Sequence, residues 1–204
     1  MLLKISKMSG KLEGVPALNT NTLTNPFCKK MHASTREDSI CSKCYSFSML
    51  ETYRANCADA WQNNSDILSR SIIDEHLLPV VNAHSFRFDG HGELLNLTHY
   101  YNLVRIARKN AGCNFTLWTK RKDLINQAEK SVDPNSTRPH NLILIYSNPF
   151  VDKIMRAPPP LFDKVFNNTS EKTTEDNCSG RRCVSCLQCY RKDSGIDVII
   201  EAIK

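Results

Sequence analysis

A chain of 204 residues with 41% hydrophobic and 24% charged side chains has the composition of a globular protein with one substantial core. No stretch reaches the roughly 20 apolar residues that a membrane-spanning helix needs, so no membrane partner is expected. The formal charge of +6 permits a polyanionic partner without naming one, because the basic clusters RKNAGC, TKRKD and SGRRC come without a helix-turn-helix or RNP-type motif.

The opening MLLKISKMSGKLEG lacks an apolar export core and a small-residue cleavage site, which predicts a cytoplasmic protein. In that reducing compartment the nine cysteines are not expected to form structural disulfides, and most of them are expected to serve metals. The first forty residues read as loop, punctuated by Gly10, Gly14, Pro16 and Pro26. Apolar residues at helical spacing predict a helix over 47–63 and a second over 65–78, with Ser65 as its cap and Pro79 as its stop. A regular alternation follows: strand 84–88, amphipathic helix 97–109, strand 114–118, short helix 124–129, and the buried strand LILIY over 142–146. Past Pro158, Pro159 and Pro160, residues 164–166 read as one more short strand, and 196–203 as a terminal strand or helix.

Strands alternating with helices imply a parallel sheet with right-handed crossovers, hence the α/β class. A closed barrel of such units usually takes about 200 residues or more. The expectation is therefore a partial, parallel (β/α) barrel-like sheet with a cysteine-rich N-terminal loop and a C-terminal cluster-binding tail. Residues 1–170 would form the α/β unit and 171–204 a cysteine-rich tail packed on it.

In parallel α/β sheets ligands gather at the C-terminal ends of the strands. Three successive strands run into Asp89-Gly90-His91-Gly92-Glu93, Thr119-Lys120-Arg121 and Ser147-Asn148. Asp89, His91, Gly92, Glu93, Thr119 and Lys120 are the cofactor-binding candidates, although Gly, Asp and His also build ordinary tight turns. His84, His99 and His140 lack metal-ligand spacing and read as structural, whereas His32 lies where it can stand in for a thiolate. Isolated Cys57 and Cys113 read as small buried apolar residues.

The remaining seven cysteines form two sets. Cys178, Cys183, Cys186 and Cys189 follow C-x4-C-x2-C-x2-C, which joins steps of the plant-type and bacterial ferredoxin spacings. Zinc favours two separated pairs, so iron–sulfur is the preferred reading here. Cys28, Cys41 and Cys44 form the second set. Two cysteines from each end clasping one four-ligand site is an arrangement that spacing leaves open. So are clusters used only for electron transfer or redox sensing, and zinc at both sites of a nucleic-acid-binding protein.

Cys28, Cys41-Ser42-Lys43-Cys44-Tyr45, FRFDGHGE, FTLWTK and the closing CSGRRCVSCLQCY together resemble the phage gene product eighty-eight family, over most of the chain. That family looks like a set of shortened radical S-adenosylmethionine (radical SAM) enzymes, in which three cysteines ligate a 4Fe-4S cluster and the fourth iron binds the cofactor. The resemblance implies that Cys28, Cys41 and Cys44 are those ligands. It also implies that Gly92-Glu93 sits where the related enzymes carry a Gly-Gly-Glu segment facing the cofactor's amino group. The usual C-x3-C-x2-C is stretched to C-x12-C-x2-C, and Lys43 stands where an aromatic is usual, with Tyr45 just beyond. A second cluster on the C-terminal set would relay electrons or hold substrate. The partner implied is a substrate or redox partner in the host cytoplasm.

Overall fold

The computed structural model describes residues 2–178 and 180–203. Among them, seven strands lie side by side in chain order: β1 (Ile5–Ser6), β2 (Ala17–Leu18), β3 (Ser85–Phe88), β4 (Asn114–Thr119), β5 (Leu142–Val151), β6 (Lys164–Thr169) and β7 (Val198–Ala202). β1 pairs with β2 antiparallel and every later pair is parallel. The sheet does not close into a barrel, and β1 and β7 are its two edges. No helix among the described residues is long and apolar enough to cross a membrane.

Residues alternate between two faces along each strand, and both faces are covered. Phe86, Phe88, Phe115, Leu117, Leu142 and Leu144 form one core with Leu68 of α3 (Ala58–Arg70), Leu103 and Ile106 of α4 (Leu97–Lys109), and Leu124 of α5 (Lys122–Glu129). Ile143, Ile145, Phe166 and Ile199 form a second core on the opposite face, against which Trp118, Cys178 and Cys189 pack. LILIY is buried on both sides, as its unbroken apolar run predicts: Leu142, Ile143, Leu144 and Ile145 are at most 2% exposed. Each such side chain contributes about 1.5–3 kcal/mol by leaving water.

α4 begins and ends at the predicted residues. The Asn96 side chain accepts the His99 N–H at 2.9 Å, capping one otherwise free donor, and Arg108 and Lys109 complement the negative end of the last turn. The 196–203 segment resolves to a strand, because Val198–Ala202 completes the parallel ladder with β6.

Three expectations need correction. The predicted helix over 47–63 is two helices, α2 (Tyr45–Glu51) and α3, with a break at Thr52, whose backbone leaves the helical region at φ −122° and ψ −108°. Ser65 is not a cap but an interior residue of α3. Its buried hydroxyl donates to the Trp61 carbonyl and accepts the Asn21 N–H, so it anchors the helix to the N-terminal segment, and residues 71–78 hold only a short 3-10 turn. The first forty residues are not all loop, since they supply β1, β2 and α1 (Pro26–His32).

Candidate functional site

The three N-terminal cysteines come from two anchored pieces of chain. Asn25 caps α1 by accepting the Phe27 and Cys28 N–H groups, and its amide nitrogen donates to the Glu93 carbonyl at 2.8 Å. Pro26 at the first helical position suits a cap of this kind. Cys28 is thereby tied to the loop after β3. The segment carrying Cys41 and Cys44 is pinned to the end of β5, where the Ile40 N–H donates to Pro149 and the Val151 N–H to Asp38. Cys44 itself precedes the first turn of α2.

Cys28, Cys41 and Cys44 line one cavity of about 310 Å³ together with Glu93, Lys120 and Trp118. Burial raises the Cys28 thiol, and the negative charge of Glu93 raises it further. Burial also raises Cys41, against the pull of the Lys120 ammonium. Burial alone would lower Lys120, but Cys41, Glu93, Cys44 and Cys28 surround it and raise it. One cation thus serves three thiols.

The polar rim is laced together at the strand tips. The Glu93 carboxylate accepts the Thr119 hydroxyl, the Leu94 N–H at 2.9 Å and the Lys120 N–H at 2.8 Å, and the Lys120 ammonium donates to the Ser147 hydroxyl at 3.1 Å. Burial nonetheless raises the Glu93 carboxyl. Gly92 has φ +94°, and a Cβ there would lie 2.6 Å from the Thr20 carbonyl oxygen, so no other residue fits. His91 stacks on Trp61 at 4.7 Å and its Nδ1 is 3.1 Å from the Ser46 hydroxyl. Burial, with help from Arg87 and Arg54, lowers its pKa to about 4 and keeps it neutral.

Asp89 lies deeper. It accepts the Thr20 hydroxyl at 2.9 Å on one oxygen, while its other oxygen has no hydrogen-bond partner and lies 3.8 Å from the equally unpartnered Nε2 of His99. Burial raises the Asp89 carboxyl well above its ordinary range and lowers His99 to about 3, so both favour their neutral forms. His32 stacks on Phe47 at 3.9 Å, with Nδ1 3.1 Å from the Cys41 carbonyl oxygen, which places it behind the cysteine segment.

The C-terminal set is built differently. Cys178, Cys183, Cys186 and Cys189 line a gap of only about 30 Å³. Cys183 and Cys186 bound a one-turn helix, α6 (Cys183–Cys186), ended by Leu187 in the left-handed region at φ +54°. The Cys178 N–H donates to Ile200 of β7, so the loop lies flat on the second core. Burial pushes Cys189 up to about 12 and raises Cys178 and Cys183 against the pull of Lys11.

A further cavity of about 260 Å³ lies between the sets. It is lined by Cys178, Cys183 and Cys189 and shares Arg87, Trp118 and Ser147 with the N-terminal cavity. The Arg87 guanidinium stacks on Trp118 at 4.3 Å and forms the partition. Each set therefore lines its own cavity. Among the described residues no three Cys, His, Asp or Glu side chains are gathered tightly enough for a single metal ion.

Asn25, Arg87 and Trp118 were not among the predicted site residues. The Asn25-Pro26 pair is a readable cap signal. Arg87, alone between Phe86 and Phe88, marks a strand whose second face is polar. Cys113 is buried as expected, and Cys57 is half-buried at the start of α3. Comparison with protein-family models, with curated proteins and with solved structures finds no match for this chain.

Proposed function

We propose that the chain is an iron–sulfur protein of the radical S-adenosylmethionine type, with an open 4Fe-4S site on Cys28, Cys41 and Cys44 and a second, closed cluster on Cys178, Cys183, Cys186 and Cys189. The observation that carries this reading is the shared cavity of about 310 Å³, lined by three thiols from two segments alongside Glu93 and Lys120. Thiolates are the usual ligands of such clusters, and a cuboidal cluster spreads its ligands over several irons, which suits thiols that line a chamber without converging on one point. Sequential strand order in an open parallel sheet is also what a partial (β/α) barrel requires.

When bound, a cluster with one unligated iron supplies an electron and a coordination position for the cofactor's amino-acid end. The chain's own residues would do the rest. Lys120 offsets thiolate charge, the backbone at Gly92 allows close approach, and Trp118 walls the chamber from the second cysteine set.

A second reading puts zinc in the C-terminal set, with a purely structural role. Four thiols within one short segment support it, since four-cysteine sites are typical of structural zinc and the sulfurs would draw together on the ion. Anaerobic quantitation of iron, sulfide and zinc, with electron paramagnetic resonance of the reduced protein before and after adding S-adenosylmethionine, separates the two. About eight irons with a cofactor-perturbed signal are expected, against about four irons and one zinc for the second reading. Absence of sulfide would overturn both.

A further inference from the structure

The open side of the sheet is a cavity of about 810 Å³ that touches both sheet edges: Ile5 and Ser6 of β1 on one side, Glu201 and Ala202 of β7 on the other. Its chemistry is lopsided. Lys4, Lys7, Lys11 and Arg54 line it, and Glu201 is its one carboxylate. Lys11 is paired with that carboxylate, while Lys4, Lys7 and Arg54 have no carboxylate partner among the described residues. Lys4 and Lys7 are exposed, as is Arg54, whose guanidinium reaches only the Ser9 hydroxyl at 3.4 Å.

Aromatic rings continue from these cations to the thiols. Tyr45, next in sequence to Cys44, is 64% exposed, unusual for a ring set in a cavity wall. Its hydroxyl accepts the Tyr53 hydroxyl at 2.9 Å, and its ring lies 5.9 Å from His91, which stacks in turn on Trp61. Tyr45, Gly90 and His91 border both this cavity and the chamber of the three cysteines. Unpaired cations beside an exposed, oriented ring match the two halves of a nucleotide, since phosphates seek the charges and every base offers a face to stack.

We infer that the seam between β1 and β7 binds a nucleotide-class substrate, its phosphates on Lys4, Lys7 and Arg54 and its base on Tyr45, with the base end toward the cysteine chamber. This names the substrate of the site proposed above and rests on that reading for its chemistry, while the binding itself needs no cluster. The substrate is a free nucleotide or a nucleotide within a single strand, and the pocket volume lies within the range of about 300–1,000 Å³ of small-ligand sites.

The test is fluorescence anisotropy of a short labelled oligothymidylate, with AMP, inorganic tripolyphosphate and poly-glutamate as competitors, on anaerobically purified protein whose iron is counted in the same samples. Three phosphate contacts at about 0.7 each predict a salt slope of about −2, collapsing toward zero in the triple variant Lys4→Glu/Lys7→Glu/Arg54→Glu. Tyr45→Ala should weaken oligothymidylate and AMP about fivefold or more and leave tripolyphosphate competition unchanged, and Tyr45→Phe should restore binding. Oligothymidylate outcompeting AMP places the substrate in a strand, and the reverse makes it a free nucleotide; both support the inference. It is overturned if neither ligand binds, if the salt slope survives the triple variant, if Tyr45→Ala weakens tripolyphosphate equally, or if poly-glutamate competes as well as the oligonucleotide. Iron-loaded protein that binds no nucleotide sinks the seam alone, and iron-free protein that binds it sinks the cluster reading alone.

Discussion

The two cysteine sets occupy opposite faces of one partition and differ in what surrounds their sulfurs. The N-terminal trio faces a chamber of about 310 Å³ with a half-buried lysine, a tethered glutamate and a left-handed glycine in its wall, whereas the C-terminal quartet shares a gap of about 30 Å³ against an apolar sheet face, with Cys178, Cys183 and Cys189 also bordering the cavity of about 260 Å³. On the proposed reading the first site admits a second molecule and the second holds only its own ligands. The contrast follows from the chain: three thiols from two segments meet the polar loops at the strand tips, while four thiols in one short segment share a gap among themselves.

The largest effects should come from the cysteines, and they should be separable. Cys44→Ala is expected to remove about four irons and every spectral response to S-adenosylmethionine. Cys186→Ala is expected to leave that response intact and remove only the metal of its own set, measured by iron and zinc counts. Loss of all metal in either variant would merge the sets into one site and break the comparison.

Glycine substitutions sharpen it next. Gly92→Ala brings a Cβ to 2.6 Å from the Thr20 carbonyl and should cost about 3 kcal/mol or more in a denaturant titration. Gly180→Ala, at φ +73° with open space around it, should cost only about 1–2 kcal/mol.

Acid should weaken the chamber side first. His91 and His99 are held neutral with pKa values of about 4 and about 3, against 6.5 ordinarily. Below pH 6.5 the unfolded chain binds protons that the folded chain refuses, so stability falls as pH drops from 6.5 toward 4. Asp89, raised by burial, acts with the opposite sign, its contribution being lost as pH rises through its folded pKa. His99→Gln keeps an acceptor for the Leu95 N–H and cannot charge, so its stability should fall less steeply than that of the wild type between pH 6.5 and 4. An unchanged slope in thermal melts would show that His99 is not held neutral.

The smallest effect is expected on the closed side. Arg182 and Glu13 form a 3.4 Å ion pair with side chains 57% and 65% exposed, and Arg182→Ala should shift stability by less than about 1 kcal/mol.

The middle of the fold was legible because its signals are local. The alternation in β3 and β4, the unbroken apolar run LILIY, the Asn96 cap and the amphipathic face of α4 all sit in the sequence itself. β1 and β2 were not, since two-residue strands carry no period and exist only through pairing of Ile5 with Leu18 and of Ala17 with Arg87. The break between α2 and α3 has neither Gly nor Pro to announce it. Among site residues, the cysteine sets were visible as spacing, and the candidates Glu93, Thr119 and Lys120 do meet. Their partners could not be read, because Thr20 reaches Asp89 and Thr119 reaches Glu93 only after the strands align.

The central claim is that the trio is open and the quartet closed. Its most direct test is electron paramagnetic resonance, with and without S-adenosylmethionine, on two reduced variants that each lack one set: Cys28→Ala/Cys41→Ala/Cys44→Ala, and Cys178→Ala/Cys183→Ala/Cys186→Ala/Cys189→Ala. The account predicts a cofactor-perturbed signal in the variant that keeps the trio and an unresponsive metal site in the variant that keeps the quartet. A perturbed signal from the quartet alone, or none from the trio, would contradict it.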